Sequence, residues 1–318
     1  MIDLSTHQPR LDLPMCRQLA DLVGERALAE GINDTAIPGL QIYRTDHPTS
    51  VNSAVYEPAL CVIAQGSKTV QLGDKEIMYG PLSYMISAVE LPVVGCVVDA
   101  TPNQPYLAVK LSLDQQEVAD LILELGDALP PLDQQRECPA ASCGLCVAPL
   151  DANILRAMTR LVSLLSSPTD CRILAPLVRR ELIYRALLGE MGWRLRDFAA
   201  TDTQAHRISR VIAVLKDRFA EPLRVRELAD DVNMSESSLF HSFKQVTRMS
   251  PVQFQKKLRL HEARRLMLTE GLEAATASYR VGYESPSHFS REYRRMFGAP
   301  PRADVSKLRG EQVMAAAL

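Results

Sequence analysis

The spacing of apolar positions changes twice along the chain. Residues 11 to 29 place Leu11, Met15, Leu19, Leu22, Val23 and Leu28 at helical spacing, which predicts a short N-terminal helix. From Gly39 to Leu113 the pattern breaks into short runs: LQIYRT, SVNSAVY, ALCVIAQ, KTVQL, EIMY, SYMISAV, VGCVVDA and YLAVKLSL. They are rich in Val, Ile and Tyr and are separated by Gly, Pro, Asn or Asp, as strands are. Leu72-Gly73-Asp74-Lys75 reads as a hairpin turn. Closely spaced short strands predict an antiparallel barrel or sandwich and not alternating βα units.

Helical spacing returns at Asp114 to Leu125 and again at Ile154, Leu155, Met158, Leu161, Val162 and Leu165. A second helix over Cys171 to Leu188 follows the tight connection Ser166-Ser167-Pro168-Thr169, so the pair should form an antiparallel hairpin. Such a hairpin caps the strand region or pairs with its copy in a second subunit. Residues 189 to 206 carry Gly and Thr/Asp punctuation and read as a linker.

The last third contains an internal repeat. Ser235, Ser237, Leu239, Phe243 and Pro251 recur fifty residues later as Ser285, Ser287, Phe289, Tyr293 and Pro301. In the first copy Val225, Leu228, Ala229 and Val232 predict a short helix, Asn233-Met234 a turn, and Ser235 the cap of a second helix over about 236 to 246. In the second copy Ala274, Ala277, Ser278 and Val281 lead through Gly282-Tyr283-Glu284 to Ser285 and a helix over about 286 to 296. Pro286 suits its first position, where no N–H is needed. Each copy is a helix-turn-helix, whose second helix suits a major groove. The helix predicted between them, Pro251 to Leu268, would hold the two at a fixed separation. Leu239, Phe243, Phe289 and Tyr293 recur at helical spacing and are expected in the core.

Charge sharpens the picture. Residues 1 to 200 hold 16 Lys+Arg against 24 Asp+Glu, and residues 201 to 318 hold 20 against 14, so a net of −8 precedes a net of +6. A basic third on an acidic body fits a polyanion-binding module attached to another domain. The segment VGYESPSHFSREYRRMFGAPP, residues 281 to 301, closely resembles the signature of the AraC/XylS transcription regulators, and the resemblance covers roughly 205 to 302. It implies that Ser237, Phe240, His241, Ser287, His288 and Arg291 face base edges, Arg291 being able to bind guanine O6 and N7 together. Lys244, Arg294 and Arg295 then fall at phosphates, and Ser235 and Ser285 present helix N-termini to the backbone. One departure stands out: Thr247-Arg248 ends the first motif where the family usually has Gly, from which a slightly altered exit turn is expected.

EPALCVIAQGSK (57 to 68), YMISAVELPV (84 to 93), PYLAVKLSLD (105 to 114) and LAPLVRRELIYRALLGEMG (174 to 192) resemble the N-terminal regulatory region of the same family. The implied fold is α+β: an N-terminal cupin-like antiparallel β-barrel with a helical hairpin, then an all-α domain with two helix-turn-helix motifs. The implied division is 1 to 192 for sensing and dimerisation, 193 to 206 for a linker and 207 to 318 for DNA. Expected partners are double-stranded promoter DNA, RNA polymerase if the protein activates, a small-molecule effector and a second copy. Tyr43, Tyr56, Gln65, Lys68, Tyr84 and Tyr106 are candidates to contact the effector.

No run approaches 18 uncharged apolar residues and the first ten carry no basic-then-apolar leader, so a cytoplasmic protein with no membrane partner is expected. Pro48 to Ala205 contains no histidine, which rules out a cupin metal site built on imidazoles there. Neither a Gly-x-Ser-x-Gly elbow nor a phosphate-binding glycine loop occurs, and no metal or cofactor is expected. The competing reading is a thiol-based or metal-binding enzyme with an incidental helix-turn-helix. It rests on CPAASCGLC, residues 138 to 146, where Cys138, Cys143 and Cys146 stand as an ordinary loop, a thiol sensor or three zinc thiolates that only Cys61, Cys96 or Cys171 could complete, no histidine being near.

Overall fold

The computed structural model describes residues 13–73, 75–130, 144–200 and 203–316. Its N-terminal part contains ten strands: β1 (Gly31–Asp34), β2 (Leu40–Thr45), β3 (Asn52–Tyr56), β4 (Ala59–Gln65), β5 (Ser67–Leu72), β6 (Lys75–Tyr79), β7 (Ser83–Ser87), β8 (Leu91–Asp99), β9 (Tyr106–Ser112) and β10 (Leu145–Pro149). They form two antiparallel sheets, ordered β1-β2-β9-β4-β7-β10 and β3-β8-β5-β6. The hydrogen-bond ladders therefore do not close into the expected barrel. Gly66 is the corner at which the chain passes from β4 in the larger sheet to β5 in the smaller. Its φ is +79°, and a Cβ there would lie 2.4 Å from the Asp99 carbonyl oxygen, so only glycine fits.

Alternation along the larger sheet separates two environments. Ile42, Leu60, Val62, Leu107 and Val109 face the helices and are fully buried with Leu19 and Val23 of α1 (Leu13–Arg26) and Leu161 of α3 (Ala152–Ser163). Each such side chain contributes about 1.5–3 kcal/mol on burial. Helix α2 (Gln115–Leu125), α4 (Pro168–Leu188) and α5 (Gly192–Ala199) complete that layer, with Asp114, Asp151 and Ser167 capping α2, α3 and α4. The expected helix hairpin is α3 and α4. Residues 192 to 199, expected as linker, form α5 with Trp193 and Leu195 buried.

The C-terminal part is helical: α6 (Gln204–Asp217), α7 (Val225–Asp231), α8 (Glu236–Thr247), α9 (Pro251–Thr269), α10 (Ala274–Arg280), α11 (Pro286–Phe297) and α12 (Pro301–Ala316). The first helix-turn-helix is α7–α8 and the second α10–α11. Leu239, Phe243, Phe289 and Tyr293 are fully buried, as their spacing predicts. The exit of α8 differs from expectation. Arg248 keeps the ordinary left-handed cap, φ 58° and ψ 20°, although it is not glycine, and Gly298 occupies the matching place after α11.

Candidate nucleic-acid interface

Ser235 and Ser285 each accept a hydrogen bond from the backbone three residues on, at 3.2 and 3.3 Å, and so start α8 and α11 with satisfied N-termini. Once Leu239 and Phe243 turn inward, the helical period leaves Ser237, Phe240, His241 and Lys244 on the outer face, and all four are exposed. The same geometry exposes Ser287, His288, Arg291, Arg294 and Arg295 on α11. Phe240, a large aromatic, keeps 38% of its surface accessible. His241 shares a 2.8 Å hydrogen bond with Gln245, which orients its ring along α8. Arg291 and Arg294 make no ion pair among the described residues, whereas Arg295 is paired with Glu292 at 2.5 Å.

The residue that locks the two motifs together escaped sequence reasoning. Arg259, midway along α9, donates to the Phe219 carbonyl at 2.7 Å, to Glu221 at 2.8 Å and to Gly282 at 2.8 Å. One guanidinium thus ties the loop before α7 to the turn before α11. Gly282, at φ +88°, passes so close to that loop that a Cβ would lie 2.1 Å from the Ala220 oxygen. In sequence Arg259 is one more basic residue on a basic helix, with nothing to distinguish it.

The helical module is docked on the smaller sheet. Ile208, Leu228, Phe243, Val246 and Phe254 share one apolar cluster with Val70, Leu72, Leu91 and Leu145 of the strands. The Gly144 N–H donates to the Val246 carbonyl at 2.8 Å, and Lys216 pairs with Glu90 at 2.8 Å. Farther along α9, His261 shares a 2.8 Å hydrogen bond with Ser53, and Arg264 donates to Asn52 at 2.6 Å. Beside these contacts lies a cleft of about 720 Å³ with Gln71, Gly73 and Val94 on the sheet side; Lys244 and Arg295 line its other wall.

Between the sheets, Tyr43, Tyr56, Lys68 and Tyr106 come together. The Lys68 ammonium lies 5.9 Å from the Tyr43 ring centre and 5.2 Å from that of Tyr56, and Tyr43 meets Tyr106 edge-on at 5.7 Å. Tyr43, Tyr56, Cys61 and Ala108 face this space yet are only half-buried, in contrast to the filled helix side of the same strands. Burial pulls the Lys68 ammonium below its ordinary pKa and pushes the Cys61 thiol up to about 11. Gln65 is turned to the Pro105 carbonyl at 2.8 Å. Tyr84 lies apart from the group, in the helix-facing core.

Cys138 and Cys143 lie outside the described residues. Cys146 belongs to strand β10 and not to a loop: it is buried toward the helices, where Arg194 Nε donates to its sulfur at 3.3 Å. Among the described residues no three His, Cys, Asp or Glu side chains gather as metal ligands, and no helix is long and apolar enough to cross a membrane.

Comparison with known proteins adds two matches along the chain. Residues 36–194 match the family described as AraC-type transcriptional regulator N-terminus, and residues 228–305 match a helix-turn-helix domain. The chain is 28% identical over 153 residues to the HTH-type transcriptional activator RhaS of Salmonella arizonae, a stretch covering 48% of this chain and 55% of that protein. RhaS of Salmonella typhimurium matches to the same extent. The match thus spans about half the length of these curated relatives. Among solved structures, unsaturated fatty acid bound ToxT from Vibrio cholerae has a TM-score of 0.54 at 11% identity, covering 84% of this chain and 94% of that one. An apo form of ToxT gives 0.52 at 11% identity, with coverage of 86% and 98%. That likeness extends to the fold, with strands and helices in one chain.

Proposed function

The chain belongs to the AraC-type transcriptional regulators, a family of regulators and not of enzymes, and on that premise we propose that it is an effector-responsive regulator that binds promoter DNA through both helix-turn-helix motifs. The observation that carries this reading is the matched exposure of α8 and α11, each capped, each polar and basic on its outer face, and fixed relative to one another by Arg259. Ser237, Phe240, His241, Ser287, His288 and Arg291 read base edges; Ser235, Lys244, Ser285, Arg294 and Arg295 hold phosphates. Residues 1 to 192, with α5 packed onto them, form the sensing unit, the rest of 193 to 206 the connection and 207 to 318 the DNA unit. The two facing sheets act as an open cupin-like chamber, and the space around Tyr43, Tyr56, Lys68 and Tyr106 receives a small organic effector, much as ToxT carries a fatty acid. Ile173, Leu174 and Leu177 expose an apolar strip on α4 that suits a second copy of the chain. By analogy with the activator RhaS, the bound protein recruits RNA polymerase.

The test is binding to the DNA upstream of its own and neighbouring genes, followed by fluorescence anisotropy. Arg291→Ala should weaken specific binding about 10- to 100-fold, the equivalent of about 1–3 kcal/mol, with the circular dichroism spectrum unchanged. Binding that is independent of salt, or indifferent to Arg291→Ala and His241→Ala together, would sink the reading.

A further inference from the structure

We propose that the cleft between the smaller sheet and the two helix-turn-helix motifs is a binding site for a small, multiply charged anion, a polyphosphate or polycarboxylate. Its helical wall carries Lys244, Arg248, Lys256, Lys257 and Arg295, whereas Gln71, Gly73 and Val94 opposite bring no charge. Among the described residues Glu292 is the only carboxylate lining it, and Lys256 at 2.6 Å and Arg295 at 2.5 Å already share it. Lys244, Arg248 and Lys257 have no ion pair among the described residues.

Two of those three are partly withdrawn from water as well. The Nε of Arg248 is buried without a hydrogen-bond partner, and burial pulls the Lys257 ammonium below its ordinary pKa. Cations taken out of water without a counter-charge are unfavourable, so their persistence around an open cleft points to an anion that completes them. The backbone supplies an independent sign. Arg248, a residue of the cleft wall, is held in the left-handed region that the second motif gives to Gly298, a strained choice for a side-chain-bearing residue. A planar guanidinium and ammonium groups along one wall match the oxygens of phosphate or carboxylate. The volume, about 720 Å³, is that of a metabolite-sized site.

An anion held there bridges the sheet to the DNA unit and occupies Lys244 and Arg295, which would otherwise meet DNA phosphates. Anion and DNA then weaken each other's binding by the same factor.

Isothermal titration of the full chain with pyrophosphate and, separately, citrate, at constant ionic strength and without DNA, tests this directly. One saturable site for at least one of them is expected, weakened tenfold or more by Arg248→Gly and by Lys257→Gln. Arg248→Gly keeps the left-handed turn, so its melting curve should match or exceed that of the parent chain. No saturable binding of either probe, or binding unchanged in both variants, overturns the proposal. A second arm rests on the promoter-binding reading: the bound probe should weaken DNA binding by the parent chain more than chloride at equal ionic strength, and by the variants no more than chloride. If instead both variants lose DNA affinity in probe-free buffer, the cleft holds the DNA backbone and the proposal falls. Probe binding that depends on Arg248 in a chain that binds no promoter DNA would leave the anion site standing and remove the DNA reading.

Discussion

The two helix-turn-helix motifs repeat one sequence pattern, yet they sit in different surroundings. The first shares its core with the strands: Phe243, Val246 and Met249 belong to the same apolar cluster as Leu72, Leu91 and Leu145. The second keeps a core of its own, in which Tyr283, Phe289, Tyr293 and Phe297 pack ring against ring at 4.4–5.5 Å and Tyr293 donates to Asp304 at 2.7 Å. Contact between the strands and the helices around the second motif is largely polar, through Ser53–His261 and Asn52–Arg264. A displacement of the sheets would therefore reach the first motif through packed side chains, and the second through the first motif, α9 and Arg259. Packed cores resist partial change, so a rearrangement of the sheets would act most directly on the first motif.

The strongest way to break this contrast is to empty the two cores in turn. Phe243→Ala and Phe289→Ala each remove a fully buried ring and should cost about 4 kcal/mol. The consequences should differ in place. Trp193, the only tryptophan, is buried in α5, which packs into the core of the N-terminal half, so its fluorescence follows that half alone. In urea the Trp193 transition should move to lower concentration for Phe243→Ala and stay put for Phe289→Ala. Equal shifts would mean that the second motif is as firmly joined to the strands as the first.

A smaller effect probes the polar contacts. Burial, with the charges of Arg264 and Lys257 nearby, lowers the His261 imidazole from 6.5 to about 4. Because the folded form binds its proton less readily than the unfolded one, the associated stability is present above pH 6.5 and is lost as the pH falls toward 4. A difference of that size corresponds to about 3 kcal/mol. Urea midpoints should fall between pH 7 and pH 5 in the parent chain and change less in His261→Gln. A parallel fall in the variant would assign the pH dependence to other groups.

These contrasts were only partly legible in the sequence. The eight strand segments between Gly39 and Leu113 show because Val, Ile and Tyr alternate between turn residues. β1 does not show, being four half-exposed residues, and β10 is hidden behind the cysteine segment. α5 is masked by the Gly and Thr/Asp punctuation on either side of it. The outward faces of α8 and α11 were readable because the fifty-residue repeat separates the inward Leu239, Phe243, Phe289 and Tyr293 from their polar neighbours. The cluster between the sheets was readable only as a list of candidates, Tyr43, Tyr56, Gln65, Lys68, Tyr84 and Tyr106: without the strand register, Tyr84 on the helix side looks like Tyr43 on the inner side. Docking was beyond reach altogether, since Ser53 and His261 are 208 residues apart and neither is unusual in its local setting.

The finest comparison is a single position shared by the two motifs. Gly298 takes φ +79° with open space where a Cβ would be, so Gly298→Ala should cost only the left-handed penalty, about 1 kcal/mol. Arg248 bears that penalty already at φ 58°, and Arg248→Gly should recover a similar amount. Both are measurable as urea midpoints, with the sign as the decisive reading. A gain at residue 248 would mean that the first motif keeps its arginine for what the side chain does in the cleft. A loss would mean that packing of the Arg248 stem against Gly73 outweighs the strain, making the residue a structural clasp between sheet and helix.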